Sequence, residues 1–142
     1  MQIVDALTFV RDRRQGVLTT LKADGRPQLS NIIYVVDGDT VRISITADRA
    51  KARNAARDPR VSLHVTTEDF WSYVVLEGDA ELSPVAGAPD DDTVAELVDL
   101  YRALAGEHPD WDDYRASMVR DQRLVLRLRP THAYGMLQLP TP

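Results

Sequence analysis

Hydrophobic and polar residues alternate with a two-residue period along much of this chain, a pattern typical of half-buried β-strands. The clearest run is residues 40–46, where Val41, Ile43 and Ile45 would share one face of a strand. Further runs predict strands at residues 16–22, 27–36, 60–66, 71–83, 123–130 and 131–139. The pattern therefore predicts six to seven antiparallel strands.

Short turns separate the first of these strands. An Asp-Gly pair at Asp24 and Gly25 predicts a hairpin, and a second turn is expected at residues 37–39. Strands joined by short turns favour an antiparallel sheet that closes into a barrel, because closure removes exposed edges. A β-sandwich is the competing architecture on strand count alone. Gly78, inside the run at 71–83, predicts a bulge or a close backbone approach.

Apolar residues at helical spacing predict helices on the flanks of this sheet. These stretches are residues 3–14, 47–59 and 90–106, with a further helix that holds Trp111, Tyr114 and Met118. The helix predicted in the second stretch ends at Asp58, because the residue before a proline is driven out of the helical region. We expect a mainly β protein with flanking helices (α+β), in one domain of residues 1–142.

Composition narrows the possible functions. The 142 residues include no cysteine, so disulfides and thiolate zinc sites are excluded. The formal net charge of −5 argues against a general nucleic-acid binder. The first residues lack a secretory signal pattern, and no segment approaches the roughly 20 apolar residues of a membrane span. We expect a cytoplasmic protein with no nucleic-acid partner and no membrane association.

The start of the predicted helix at residues 47–59 is the most informative segment. Arg49 and Lys51 lie where a helix N-terminus already carries partial positive charge, which is unfavourable unless an anion binds there. An arginine fork and a mobile lysine are a suitable pair for phosphate oxygens. The alternative is that both cations are simply solvated at the surface.

Polar residues on neighbouring strands support a ligand site near this helix. Gln28 and Ser30 share one face of the second strand, and Ser44 and Thr46 share one face of the third. If these strands pair, their polar groups could hydrogen-bond the rim of a heteroaromatic ring. A solvent-facing sheet surface explains the same pattern.

Other candidate residues are aromatic or histidine. Trp71 and Tyr73 would share a strand face and either cover a cofactor or fill an interface. His64, His108 and His132 show no metal-ligand spacing, and we expect neither a metal site nor a catalytic role for them. Nucleophile elbows, P-loops and G-x-G-x-x-G motifs are also absent from the sequence. Any redox chemistry would thus belong to a bound cofactor.

Four segments in this order resemble one family. They are GVLTTLKADGRPQLSN (16–31), RAKARNAARDPRVSLHV (49–65), the stretch 71–115 and RLVLRLRPTHAYG (123–135). Together they resemble the actinobacterial, mycobacterial-type F420-dependent members of the pyridoxamine 5′-phosphate oxidase-like superfamily. The resemblance implies an FMN-binding-like split β-barrel homodimer with cofactor sites in the grooves between its subunits.

The resemblance also implies roles for individual residues. Arg49, Lys51 and Asn54 would hold the cofactor phosphate or charged tail, with the Ala50 backbone nearby. The remaining cofactor-binding positions are the ring-lining residues Gln28, Ser30, Ser44, Ile45 and Thr46, and Trp71 and Tyr73 from the partner chain. No catalytic side chain is implied, because the reduced deazaflavin itself delivers hydride.

The function implied is an F420H2-dependent oxidoreductase that transfers hydride to an unsaturated small-molecule substrate. The sequence lacks the C-terminal Trp-and-Arg signature expected of true pyridoxamine phosphate oxidases, which argues against vitamin B6 oxidation. Two alternatives stay open: an FMN-binding oxidoreductase of the same superfamily, and a non-catalytic F420 carrier. A phosphate clamp cannot separate F420 from FMN, since both present a phosphate on a ribityl-type chain.

Overall fold

A computed structural model describes residues 1–137 of the chain. Its helices are α1 (Ile3–Arg11), α2 (Ala50–Arg57), α3 (Asp92–Ala105) and α4 (Trp111–Arg120). Its strands are β1 (Gln15–Leu21), β2 (Pro27–Ile33), β3 (Val35–Asp37), β4 (Thr40–Thr46), β5 (Arg60–Thr66), β6 (Tyr73–Leu82), β7 (Arg123–Leu128) and β8 (His132–Met136). The last two residues of the predicted strand at 131–139 lie outside the described residues.

The strands form a curled antiparallel sheet in the order β2-β1-β5-β6-β7-β4-β3, with β8 paired to β6. β2 contacts β4 across the opening of this sheet, yet within residues 1–137 no ladder joins them. The architecture is an open half-barrel with flanking helices, which confirms the predicted split β-barrel and excludes the sandwich. The opening between β2 and β4 is the feature that places the candidate site.

β6 holds the two parts of the sheet together. One edge pairs with β5, while the opposite edge pairs first with β8 through Tyr73–Glu77 and then with β7 through Ala80–Leu82. Gly78 lies where β7 and β8 diverge, and a Cβ there would come 2.6 Å from the Arg129 carbonyl oxygen. The close backbone approach predicted for Gly78 is therefore confirmed.

The predicted single strand at 27–36 is wrong, because Tyr34 interrupts it. β2 ends at Ile33 and β3 begins at Val35. The fully buried Tyr34 ring reaches α1, where its hydroxyl donates to the Val10 carbonyl oxygen at 2.7 Å. Burial raises the pKa of Tyr34 far above its ordinary value, so the hydroxyl stays a donor. The buried Tyr34 ring and its hydrogen bond to Val10 turn the chain between β2 and β3 and hold α1 against the end of the barrel.

Helices α3 and α4 cover the face of β4 and β7 that points away from the barrel core. Val94, Leu97 and Val98 of α3 pack with Met118 of α4 and Val125 of β7 in a second apolar cluster. Asp91 caps α3 by accepting from the Val94 amide, and Gly106 ends the helix with a φ of 78°. Apolar periodicity and these cap residues explain why this helix was predictable.

An ion network fastens α3 to the sheet. Glu96 of α3 accepts from Arg42 of β4 at 2.7 Å and from the Arg127 Nε of β7 at 2.9 Å. Burial alone would raise the pKa of Glu96, but the hydrogen bonds and charges of Arg127 and Arg42 outweigh it and lower the pKa. The helix pair is thus held in register over β4 and β7.

Among residues 1–137, none of the helices combines the length and the apolar character that crossing a bilayer requires.

Candidate functional site

An open cleft of about 850 Å³ follows the opening between β2 and β4. Lys51, Ser44 and Arg123 lie on one wall. Three further groups of residues complete the cleft. The start of β1 and the end of β2 contribute Gln15, Gly16, Val17, Asn31, Ile32 and Ile33, and the end of β5 with the turn after it contributes His64, Thr66, Thr67 and Glu68. The helix pair α3 and α4 contributes Leu100, Tyr101, Leu104, Tyr114 and Met118.

The positive wall is built around the first turn of α2. Arg49 is the N-cap residue in an extended conformation, and its side chain makes no capping hydrogen bond. The first turn of α2 contains no acidic residue, although acidic residues are the usual partners of this helix end. Lys51 and Arg49 therefore add cationic charge to backbone N–H groups that already favour an anion.

Arg123 adds a third cation that the sequence analysis did not single out. It begins β7 opposite Thr46 of β4, and its Nη1 donates to Ser44 Oγ at 3.3 Å. Its Nε is buried and has no hydrogen-bond partner among the described residues. A buried, unpaired guanidinium N–H is costly, and an acceptor in the cleft would reach this atom only after the Arg123 side chain moved.

The pKa of Lys51 reflects the same lack of nearby negative charge. Its pKa is lowered, first because burial disfavours the ammonium and then because Arg49 and Arg123 repel it. Within residues 1–137, no carboxylate forms a salt bridge with any of these three cations. A bound anion would supply the missing negative charge and favour the charged form of Lys51.

The helix pair supplies an apolar and aromatic wall. Tyr101, His108, Trp111 and Tyr114 form one ring cluster, with neighbouring centroids 5.1–5.7 Å apart. The Tyr114 hydroxyl donates to the Leu97 carbonyl oxygen at 3.0 Å, and burial raises the pKa of Tyr114. A positive wall facing rings and aliphatic side chains suits a flat ligand that carries an anionic group.

The structure brings together only part of the predicted site. Ser44 and Lys51 line the cleft, Arg49 and Ala50 begin α2 beside it, and Thr46 shares the outer face of β4 with Ser44. The expected pairing of the second and third polar strands is not present, since β2 pairs with β1 while β4 pairs with β3 and β7.

The other predicted residues lie away from the cleft. Gln28 and Ser30 are half-buried on the β2 face that is shared with the core residue Leu18 of β1. Ile45 packs in the main core, so only its backbone could meet a ligand. Asn54 is buried, and its amide donates to Thr20 while its oxygen accepts from Arg57.

Trp71 and Tyr73 do not share a strand face. Trp71 belongs to the turn before β6 and is 66% exposed, beside Phe70, which is 77% exposed. Tyr73 begins β6 and stacks against His64 of β5 with ring centroids 5.6 Å apart. His64 lines the cleft, a position that a lone histidine in a strand pattern gave no means to anticipate.

The sheet face that includes His64 carries four large exposed apolar residues. Leu29 and Ile33 of β2 are 59% and 55% exposed, and Tyr134 and Met136 of β8 are 45% and 46% exposed. The pairing registers place all four on the face opposite the barrel core. Polar side chains such as Asn31, His64 and Glu77 lie on the same face, so these exposed apolar residues are a candidate interaction surface with polar groups among them.

Comparison with known families gives one match that spans nearly the whole chain. Residues 5–137 match the model of the family described as pyridoxamine 5′-phosphate oxidase. The match covers the half-barrel, the helix pair and every residue of the cleft.

Solved structures show the same fold. The conserved hypothetical protein Rv2991 from Mycobacterium tuberculosis is 24% identical, with a TM-score of 0.76 over 100% of this chain and 91% of its own. A protein named F420 reductase is 27% identical, with a TM-score of 0.65 over 85% of this chain and 89% of its own. A FAD-binding protein from Mesorhizobium loti is 17% identical, with a TM-score of 0.68 over 95% and 92% of the two chains.

Proposed function

This chain belongs to the pyridoxamine 5′-phosphate oxidase family, and we propose that it is an F420H2-dependent reductase of unsaturated small molecules. The observation that carries the proposal is the cation group of Arg49, Lys51 and Arg123 beside an apolar cleft, without a carboxylate partner among the described residues. Such a group favours an anion, and a phosphate on a flat redox cofactor would suit both the cations and the apolar side chains of the cleft.

The choice of deazaflavin over FMN rests on similarity. Among the solved structures of this fold, one at 27% identity is named F420 reductase, and another is named a FAD-binding protein. The four sequence segments that resemble F420-dependent proteins add to this support. FMN is the second choice, because the cations would hold its phosphate equally well.

The chain's own residues would bind the cofactor, orient its ring and shield it from water. Lys51 and Arg123 would pair with the phosphate, while the Ser44 hydroxyl, which accepts from Arg123, would hold that guanidinium in position. Leu104, Met118 and Tyr101 would exclude water from one side of the ring. The reduced deazaflavin would supply the hydride when bound. Asn54, which pairs with Thr20 and Arg57, would support the geometry of α2.

We also propose that two copies of the chain form the working site. A second copy would cover the sheet face that carries Leu29 and Ile33. Both residues belong to β2, which is an edge strand of the sheet among the described residues. The exposed turn with Trp71 would then reach the partner's cleft, whereas Tyr73, which packs on His64, would stay beside the cleft of its own chain. Light scattering should give twice the mass of one chain, and a strict monomer that still binds cofactor tightly would contradict the shared site.

A direct binding test uses tryptophan fluorescence. Trp111 packs against Tyr101 and Tyr114, which line the cleft, so its emission should fall as a cofactor binds. F420, FMN, FAD and haem would be titrated in turn, with Trp111→Phe and Trp71→Phe variants to identify the reporting ring. We expect saturable binding that is tightest for F420, and binding by FMN alone would reject the cofactor assignment.

Turnover separates a reductase from a carrier. Oxidation of F420H2 would be followed by absorbance with quinones, enones and tetrapyrroles as acceptors. Acceptor-dependent oxidation supports the reductase. Tight F420 binding without oxidation by any acceptor would favour the carrier.

The cation group gives a prediction about affinity. Lys51→Ala should weaken F420 binding by about 1.5–3 kcal/mol, the usual contribution of a hydrogen bond to a charged group. Arg123→Met, which keeps most of the side-chain volume, should weaken it by a similar amount. The same fluorescence titration measures both changes.

Lys22 is the matched control for Lys51. It is the other of the chain's two lysines, and it is exposed in the turn between β1 and β2. Lys22→Ala should leave the affinity unchanged within about twofold, as expected of a solvated charge far from the ligand. Equal losses in the two lysine variants would show a general charge effect and remove Lys51 from the site.

A further inference from the structure

His64 occupies a position in the cleft that the proposed phosphate clamp does not use. It lies in the middle of β5, opposite Val17 of β1 and Val75 of β6. Its neighbours Leu63 and Val65 are fully buried on the core side, so the His64 imidazole points to the opposite face and lines the cleft. The ring is half-buried and stacked on Tyr73.

The surroundings leave the imidazole nitrogens available. Among the described residues neither ring nitrogen makes a hydrogen bond, in contrast to His108, whose Nδ1 accepts from the Asp110 amide. Facing groups from β1 and β6 are the apolar Val17 and Val75 and the Tyr73 ring. The charged groups that line the same cleft are Glu68 in the turn after β5, Lys51 of α2 and Arg123 of β7, and none of them pairs with His64.

Addition of hydride to a conjugated double bond requires a proton as well. A bound reduced deazaflavin would supply hydride to the β-carbon of an enone, and the π electrons of the substrate would move to its carbonyl oxygen to give an enolate. The α-carbon then needs a proton to complete the two-electron reduction. Imidazole is the side chain that exchanges protons most readily near neutral pH.

From this placement we propose that His64 is the proton donor of the reaction, an inference that rests on the proposed reductase function. One N–H bond of its imidazolium breaks, the proton passes to the substrate α-carbon, and the neutral ring regains a proton from solvent. The substrate class that fits is a flat α,β-unsaturated carbonyl compound, since it needs both hydride and proton. Tyr73 would help to position His64, because its ring packs against the imidazole with centroids 5.6 Å apart and planes inclined by 31°.

The test compares His64→Gln with His132→Gln. His132 is a matched control because it lies on the same sheet face, in β8, with its side chain 66% exposed and outside the cleft lining. Oxidation of F420H2 by cyclohexenone would be measured from pH 5 to 9 together with the F420 dissociation constant. Circular dichroism would confirm that each variant is folded.

We expect His64→Gln to lower kcat on the order of 100-fold, the usual contribution of a positioned general acid. The F420 dissociation constant should stay within twofold. The pH dependence of kcat should differ between wild type and His64→Gln, because the variant lacks the proton donor. His132→Gln should behave as wild type. A His64→Gln variant with wild-type kcat and pH profile would overturn the proposal.

A second readout does not depend on turnover. The chain has three histidines, so ring signals in a histidine-labelled NMR sample can be assigned with the two variants. Adding F420 should shift the His64 signals and leave those of His132 in place. Saturating F420 binding without a shift at His64 would overturn the proton-donor assignment alone, whereas failure of F420, FMN and FAD to bind would reject the proposed function and this inference with it.

Discussion

Gly135→Ala should destabilise the fold by about 3–5 kcal/mol, the largest loss we expect from a single methyl group in this chain. Gly135 lies in β8 with a φ of 150°, a backbone conformation that L side chains rarely adopt. A Cβ there would collide with the Tyr73 carbonyl oxygen and lie 2.9 Å from the Val74 Cα. Both obstacles are backbone atoms of β6, so no side-chain rotation relieves the clash.

Urea unfolding followed by circular dichroism measures this loss. Gly87→Ala is the matched control, because a Cβ at Gly87 would have its nearest neighbour 3.8 Å away, in the Asp91 carboxylate. That variant should stay within about 1 kcal/mol of wild type, since ordinary contacts cost little. If Gly135→Ala unfolds at the wild-type urea concentration, the tight β6–β8 packing described above is incorrect.

Glu96→Gln should lower the free energy of unfolding at neutral pH by about 2 kcal/mol, because it leaves two guanidinium groups without their shared carboxylate. The Glu96 side chain is 12% exposed, whereas those of Arg42 and Arg127 are 30% and 26% exposed. Partial hydration of both arginines is the reason for placing this loss below the 3–5 kcal/mol typical of a fully buried broken pair.

The pH dependence of this loss follows from the lowered pKa of Glu96. A carboxyl whose pKa falls on folding contributes its full stability above the unfolded pKa of about 4.3, and the contribution disappears as pH falls through the folded pKa. The difference between wild type and Glu96→Gln should therefore shrink on acidification.

Glu81→Gln is the control for this network. Glu81 contacts the same Arg127 at 2.9 Å, but its side chain is 77% exposed. Its replacement should cost under about 1 kcal/mol, as for most surface ion pairs. Equal losses for Glu96→Gln and Glu81→Gln would mean that burial of the network contributes nothing, and our account of how α3 is fastened to the sheet would fail.

The fold was largely predictable because its signals are local. Alternation at residues 40–46, the turn at Gly38 and the cap of α3 at Asp91 each lie within a few residues of the structure they specify. The break at Tyr34 was missed because its cause is a hydrogen bond to Val10 in α1, 24 positions away. The alternation of hydrophobic and polar residues does not distinguish a tyrosine that breaks a strand from one that lies within it.

The site was predictable only where its residues adjoin in sequence. Arg49 and Lys51 were recognised because both begin one helix. Arg123 was missed, since its position beside Ser44 depends on β7 pairing with β4 across 79 residues. The expected alignment of Gln28 and Ser30 with Ser44 and Thr46 is absent for the same reason. No local sequence pattern determines which strands pair. Cofactor identity depends on similarity rather than on these contacts.

The sharing of β6 between the two parts of the half-barrel limits how this chain can be divided. A fragment that stops before Tyr73 would leave β5 paired only with β1, and one that starts after Leu82 would leave β7 without both of its partners, β4 and β6. A cut inside residues 73–82 would therefore disrupt both parts of the sheet, and a split, truncated or permuted version should keep this segment whole. Its unfolding should accordingly be a single cooperative event rather than the stepwise loss of one half.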